Sequence, residues 1–139
     1  MSSTMDALIH VPMFRDLHKK ALERLERIAR QRSFTAGDVV VKEGDEGVGF
    51  FLITSGRVAV TKEGHDLSSL GVNEFFGEMA LLDNYRRSAT VTATETTKCL
   101  ALLRSDFIAE LRSNADLAVE MLVLMSRRVR DADERLAHD

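Results

Sequence analysis

Glu78 and Arg87 stand nine positions apart, in a setting able to hold a small anion. Ahead of them, Phe75-Phe76 has strand character, and Gly77 permits a tight turn with close approach of backbone to ligand. Glu78 to Leu82 suits about one helical turn, whose free N–H groups face back toward Gly77 and favour negative charge. A loop follows, and Arg87-Ser88-Ala89-Thr90-Val91 starts a new strand. An arginine there reaches the same anion with a forked, charge-assisted contact. The carboxylate of Glu78 then accepts from hydroxyls of the same ligand. The competing reading makes Glu78 and Arg87 a structural ion pair in a turn.

The elements that must position these residues follow from where glycine occurs. All eight glycines fall between Gly37 and Gly77, and the rest of the 139 residues has none. A dense cluster of glycines signals many tight turns, and glycine-free flanks signal long regular elements. The order is therefore helix, β-rich middle, helix. Residues 16 to about 31 are expected to be helical, with Asp16 as N-cap and Leu17, Ala21, Leu25, Ile28 and Ala29 at helical spacing. Met5 to Phe14, around Pro12, reads as a short helix or turn. From Ser33 onward short β-forming runs are separated by Gly37-Asp38, Gly44-Asp45-Glu46-Gly47, Ser55-Gly56 and Glu63-Gly64. About eight such strands predict a mainly β fold, an antiparallel jelly-roll barrel flanked by helices. Ser105 or Asp106 is expected to cap a short helix through Leu111, and Ser113, followed by Asp116, to start a long one.

The long helix carries two apolar stripes. Ala118, Leu122, Met125, Val129, Ala132 and Leu136 repeat as a heptad seam suited to a partner helix. Leu117, Met121 and Leu124 form the other, which continues as Arg128 and Asp131. If this second stripe packs on the barrel, its charged end falls near whatever the barrel holds. One broad core face is the alternative.

Composition bounds the function. The length suits one domain, residues 1–139, divided into a helical segment (1–32), a barrel (33–103) and C-terminal helices (104–139). One cysteine, Cys99, makes no intrachain disulfide and in a β run reads as a small core residue. It also disfavours an iron–sulfur site, which needs several thiolates. His10, His18, His65 and His138 have no ligand spacing, so no metal is expected. His65-Asp66 has no matched serine motif, so no hydrolase is expected. The longest apolar runs are five residues, against the ~20 of a membrane span. The amino terminus shows no basic stretch followed by an apolar run. A cytoplasmic location is expected. The net charge is −3, and residues 33–103 hold ten acidic against six basic side chains. That middle offers no nucleic-acid face, and the basic first helix, interrupted by Glu23 and Glu26, reads as a solvated face.

The segment 75–91 resembles the phosphate-binding cassette of cyclic nucleotide-binding domains, as found in catabolite-activator-like proteins and protein-kinase-A regulatory subunits. Its pattern stands here as Phe76-Gly77-Glu78-Met79-Ala80-Leu81-Leu82 and Arg87-Ser88-Ala89-Thr90-Val91. Phe34-Thr35-Ala36-Gly37-Asp38, Phe51-Leu52-Ile53, Ser55-Gly56-Arg57-Val58 and Val11-Pro12-Met13-Phe14 extend the similarity over nearly the whole chain. The resemblance implies a non-enzymatic receptor for cAMP or cGMP, without a cofactor. Glu78 would accept the ribose 2′-hydroxyl and Arg87 would pair with the cyclic phosphate. Backbone at Gly77, Glu78, Met79 and Ala80, with Ser88 and Ala89, would complete the cradle. Arg128, Asp131 and Ala132 would lie near the base as a lid, moving the helix or a dimer partner and so an unidentified downstream protein. No helix-turn-helix pattern follows the long helix, so DNA binding by this chain is not expected. The alternatives are an interaction or dimerisation module that keeps the fold without ligand, or the sensor part of a transcription regulator or channel. Asn73-Glu74 replaces the family's Gly-Asp or Gly-Glu. Asparagine tolerates left-handed backbone, so the turn is expected to survive. Arg86 replaces the family's proline, so either arginine can face the phosphate; Arg87 has the family register against Ser88-Ala89 and is favoured, with Arg86 read as a solvated loop residue.

Overall fold

The structure, a computed structural model, describes residues 3–44, 49–77 and 89–138. Three short helices open the chain: α1 (Ser3–Leu8), α2 (Pro12–Arg15) and α3 (Lys19–Ile28). Pro12 occupies the first turn of α2, where its missing N–H costs nothing. Asp16 does not cap the long helix as expected. It closes α2 instead, its N–H donating to Phe14, and His18 is the N-cap of α3. The shift follows from Leu17, which is buried and draws the chain into the core between the two helices. At its other end α3 stops at Ile28, because Ala29 turns extended and the next residues pair as a strand.

That strand, β1 (Arg30–Phe34), begins three residues before the expected change at Ser33 and pairs with β8 (Thr97–Leu103). Its sequence, Arg-Gln-Arg-Ser-Phe, is polar because it is an exposed sheet edge. The remaining strands are β2 (Val39–Val41), β3 (Gly49–Ser55), β4 (Val58–Lys62), β5 (His65–Leu70), β6 (Phe75–Phe76) and β7 (Thr90–Ala93). They form two four-stranded antiparallel sheets, in the orders β1-β8-β3-β6 and β2-β7-β4-β5. The sheets face each other in jelly-roll fashion, and among the described residues no strand pairing closes them into a barrel.

Strands β3 and β8 are buried on both faces, and alternation along them divides the apolar residues into two clusters. Phe51, Ile53, Cys99 and Ala101 face the second sheet, where they meet Val58 and Val91. Phe50, Leu52, Leu100 and Leu102 face outward and are covered by helices. The helical cover includes Leu8, Val11, Phe14, Leu25 and Phe107.

Tight turns are glycine-dependent where φ is positive. Glu63 and Gly64, at φ +52° and +80°, make the two-residue β4–β5 hairpin loop with both central residues left-handed. Gly56, at φ +93°, has no room for a side chain, since a Cβ would collide with the Thr96 carbonyl and with Thr97. Gly56→Ala is expected to cost about 1–3 kcal/mol, seen as a lower urea midpoint. An unchanged midpoint would contradict this packing.

Two helices end the chain, α4 (Arg104–Ser113) and α5 (Ala115–His138). Neither start is capped as expected. Leu103 precedes α4 with no side-chain cap. At α5 the cap is Asn114, whose Oδ1 accepts from Leu117 N at 3.3 Å, while Ser113 donates back to Glu110.

Candidate functional site

The cassette is anchored at both ends on different sheets. On the first sheet, β6 pairs with β3, and the rings of Phe51 and Phe76 stack with centroids 5.2 Å apart at 15°. The preceding turn holds Asn73 at φ +71°, the left-handed geometry expected of it. Asn73 N donates to Ile53 O and Ile53 N donates to Glu74 O, both at 2.9 Å, which pins the turn to β3. The Glu74 carboxylate accepts from Gly71 N at 3.0 Å. Gly77 then leaves the sheet at φ +84°, a conformation that side chains resist.

On the second sheet the chain returns at Ala89, half-buried, and enters β7 at Thr90. Thr90 Oγ1 accepts from Glu43 N at 3.1 Å, and Glu43 Oε1 accepts from Glu63 N at 3.0 Å. Glu43 thus joins the cassette's exit to the β4–β5 hairpin. In the sequence it is indistinguishable from a turn residue, because a glutamate beside glycine carries no mark of a tertiary contact. Of the candidate ligand residues, Gly77 and Ala89 are placed at these two strand ends. Glu78, Met79, Ala80, Arg87 and Ser88 lie outside the described residues.

Between the sheets the lining is apolar. Val41, Val60, Leu70 and Phe76 pack on the inner cluster yet remain only partly buried, leaving apolar surface accessible there. Arg32 lies over Phe34, its guanidinium carbon 5.9 Å from the ring centroid. Cys99 is buried in the inner cluster, and burial pushes its thiol from 9.0 up to about 11. The folded state therefore holds the thiol protonated. This contribution to stability is complete below pH 9 and is lost as pH rises through 11. The native thiol is expected to resist Ellman's reagent at mildly alkaline pH and to react once urea unfolds the protein. Rapid reaction in the native state would contradict its burial.

On α5 the two stripes separate. Leu117, Met121 and Leu124 are buried against the outer cluster, as one stripe was expected to be. Leu122 and Val129 of the heptad seam are 70% and 61% exposed, and Val119 and Val123 widen that apolar surface. The buried stripe packs on the helix-covered face of the first sheet, however, and not on the face toward the inner cluster. Asp131 is exposed and Ala132 partly buried, and the Arg128 side chain lies outside what is described. Beyond Met125, no described α5 side chain joins either apolar cluster. No helix among the described residues is long and apolar enough to cross a membrane.

A family model for the cyclic nucleotide-binding domain matches residues 31–114. The chain is 34% identical over 130 residues to the cyclic AMP receptor protein of Thermus thermophilus, covering 90% of this chain and 60% of that protein. It is 39% identical over 108 residues to a cyclic nucleotide-gated potassium channel of Rhizobium etli, covering 78% of this chain and 30% of the channel. It thus spans less than two-thirds of the length of either relative. Among solved structures, the N-terminal domain of a transcriptional regulator from Streptomyces coelicolor superposes with a TM-score of 0.85 at 29% identity, covering 93% of this chain and 96% of that one.

Proposed function

The chain belongs to the cyclic nucleotide-binding domain family, and on that premise we propose that it is a receptor for cAMP or cGMP that signals through α5. It is a binding domain, not an enzyme. Glu78 accepts the ribose 2′-hydroxyl and Arg87 pairs with the cyclic phosphate. Backbone N–H groups at Gly77, Glu78, Met79 and Ala80, with Ser88 and Ala89, complete the phosphate cradle. The observation that carries this reading is the anchoring of the cassette, which leaves one sheet at Gly77 with φ +84° and enters the other through Ala89. A ligand bound there lies against the accessible apolar surface of Val41, Val60, Leu70 and Phe76.

The acidic β-rich middle does not collect anions generally, so binding rests on local, pre-organised donors and suits a small mono-anion. A cyclic nucleotide has roughly 22 heavy atoms, and about −0.3 kcal/mol for each places the affinity in the micromolar range. Closure over the base is assigned to Arg128, Asp131 and Ala132. Among the described side chains α5 packs on the outer cluster as far as Met125, and its distal half is assigned as the part that moves. Tighter binding to a closed arrangement shifts the population toward it. Adding cAMP or cGMP is expected to move the amide resonances of Gly77, Ala89 and residues 128–132. If residues 77 and 89 shift while 128–132 do not, the lid assignment fails. If none shift, the chain is a ligand-free interaction module.

The exposed α5 seam is assigned to a second copy of the chain. In a parallel pairing with Leu122 and Val129 at the seam, the register sets residue 128 of one copy opposite residue 133 of the other, arginine against aspartate. Arg128 borders both the seam and the proposed lid, so dimer pairing and base capture draw on the same helical turn. Leu122→Glu is expected to convert a dimer to a monomer in sedimentation velocity. A wild-type monomer at high micromolar concentration would contradict the assignment. The downstream partner is a protein contacted through α5, and the setting is the cytoplasm.

A further inference from the structure

A second cleft lies on the opposite face of the first sheet from the inner cluster. Its volume is about 360 Å³, and it is lined by Thr4, Asp6, Ala7 and His10 of the N-terminal segment and by Gln31, Thr54, Asn73 and Leu100. This is within the size range of small-molecule sites. Leu100 is almost fully buried and, with Ala7, forms an apolar floor.

The polar groups around the floor are biased toward accepting. His10 Nδ1 is 2.7 Å from the Asp6 backbone carbonyl, and a carbonyl only accepts, so Nδ1 carries the proton. The neutral ring then has its lone pair at Nε2. The Thr54 hydroxyl donates to Lys98 O at 3.1 Å, which leaves its oxygen lone pairs. The Asp6 carboxylate accepts only, and among the described residues it has no ion pair or side-chain hydrogen bond. Gln31 and Asn73 add amides, and Thr4 a hydroxyl, each able to accept or to donate. Three acceptors, one of them anionic, beside an apolar floor match a ligand that donates and carries positive charge. The same arrangement repels phosphate, so this is no second nucleotide site.

We propose that this cleft binds a small organic cation, a guanidinium or ammonium group on a short alkyl stem, with the head on Asp6, His10 Nε2 and Thr54 and the stem over Ala7 and Leu100. The source is a free amine or an arginine or lysine side chain of another protein. The test titrates labelled full-length protein with n-butylguanidinium, its neutral analogue n-butylurea, and a blocked Ala-Arg-Ala peptide, following amide resonances. The cations are expected to move residues 6, 7, 10, 31, 54 and 73 together and saturably. The urea should bind at least tenfold more weakly, and Asp6→Asn should weaken the cations at least tenfold while leaving other resonances in place. Tighter binding of the peptide than of the free cation assigns the cleft to a protein side chain, and the reverse assigns it to a free amine. Equal binding of the urea, full affinity in Asp6→Asn, or no saturable shift at these residues overturns the proposal.

Discussion

Replacing Arg87 with alanine is expected to weaken cyclic nucleotide binding by about 2–5 kcal/mol, or roughly thirty-fold to several-thousand-fold. The cost is large because the two-sheet body is acidic, with ten Asp or Glu against six Lys or Arg in residues 33–103. No general positive field replaces a lost local cation. Arg87→Lys should recover part of the loss, because an ammonium keeps the charge but not the planar fork that fits two phosphate oxygens. Arg86→Ala should stay within about threefold of the parent, as expected of a solvated surface contact. Isothermal titration of the three variants checks the assignment. A large loss in Arg86→Ala with none in Arg87→Ala would exchange the roles of the two arginines.

Phe14→Ala is expected to destabilise the fold by about 3–5 kcal/mol, more than Gly56→Ala does. Phe14 is fully buried, and its ring meets Phe50 edge-on at 5.7 Å and Phe107 at 6.4 Å. One side chain thus ties α2 to the central strand β3 and to α4. No neighbouring group on rigid strands and helices can fill the space it leaves. Domains of this kind have total stabilities of about 5–15 kcal/mol, so the loss is a large share. A urea titration should show a much lower midpoint. A midpoint within experimental error of the parent would mean that the helices do not depend on this contact.

What the sequence made legible follows the range of the forces involved. The β-rich middle was readable because glycine-dependent turns and alternating apolar residues are local, and five of the seven described glycines do hold positive φ. Asn73 was readable for the same reason, since its tolerance of left-handed backbone is intrinsic. Strand β1 was not, because Arg30-Gln31-Arg32-Ser33 is held by pairing with β8, nearly seventy residues away, and carries no strand signal of its own. The helix caps failed similarly. Asp16 has the chemistry of a cap, but burial of Leu17 displaced the start of α3, and no local rule favoured Asn114 over Ser113. The two stripes of α5 were visible as periodicity. Which face of which sheet the buried stripe meets is a tertiary matter, and it came out on the outer side. The cleft beside Asp6 assembles residues from five separate segments and was beyond any motif. The cassette is the reverse case, since its residues are contiguous and the structure sets its two ends on opposite sheets.

The central claim is that the cassette holds a cyclic nucleotide. It is tested most directly by calorimetric titration of the intact chain with cAMP and, separately, with cGMP. Saturable binding of at least one, at one site per chain and with micromolar affinity, is the predicted result. The order of the two affinities then names the ligand. Absence of binding by either nucleotide up to millimolar concentration, in a protein that is folded by its amide spectrum, would contradict the account.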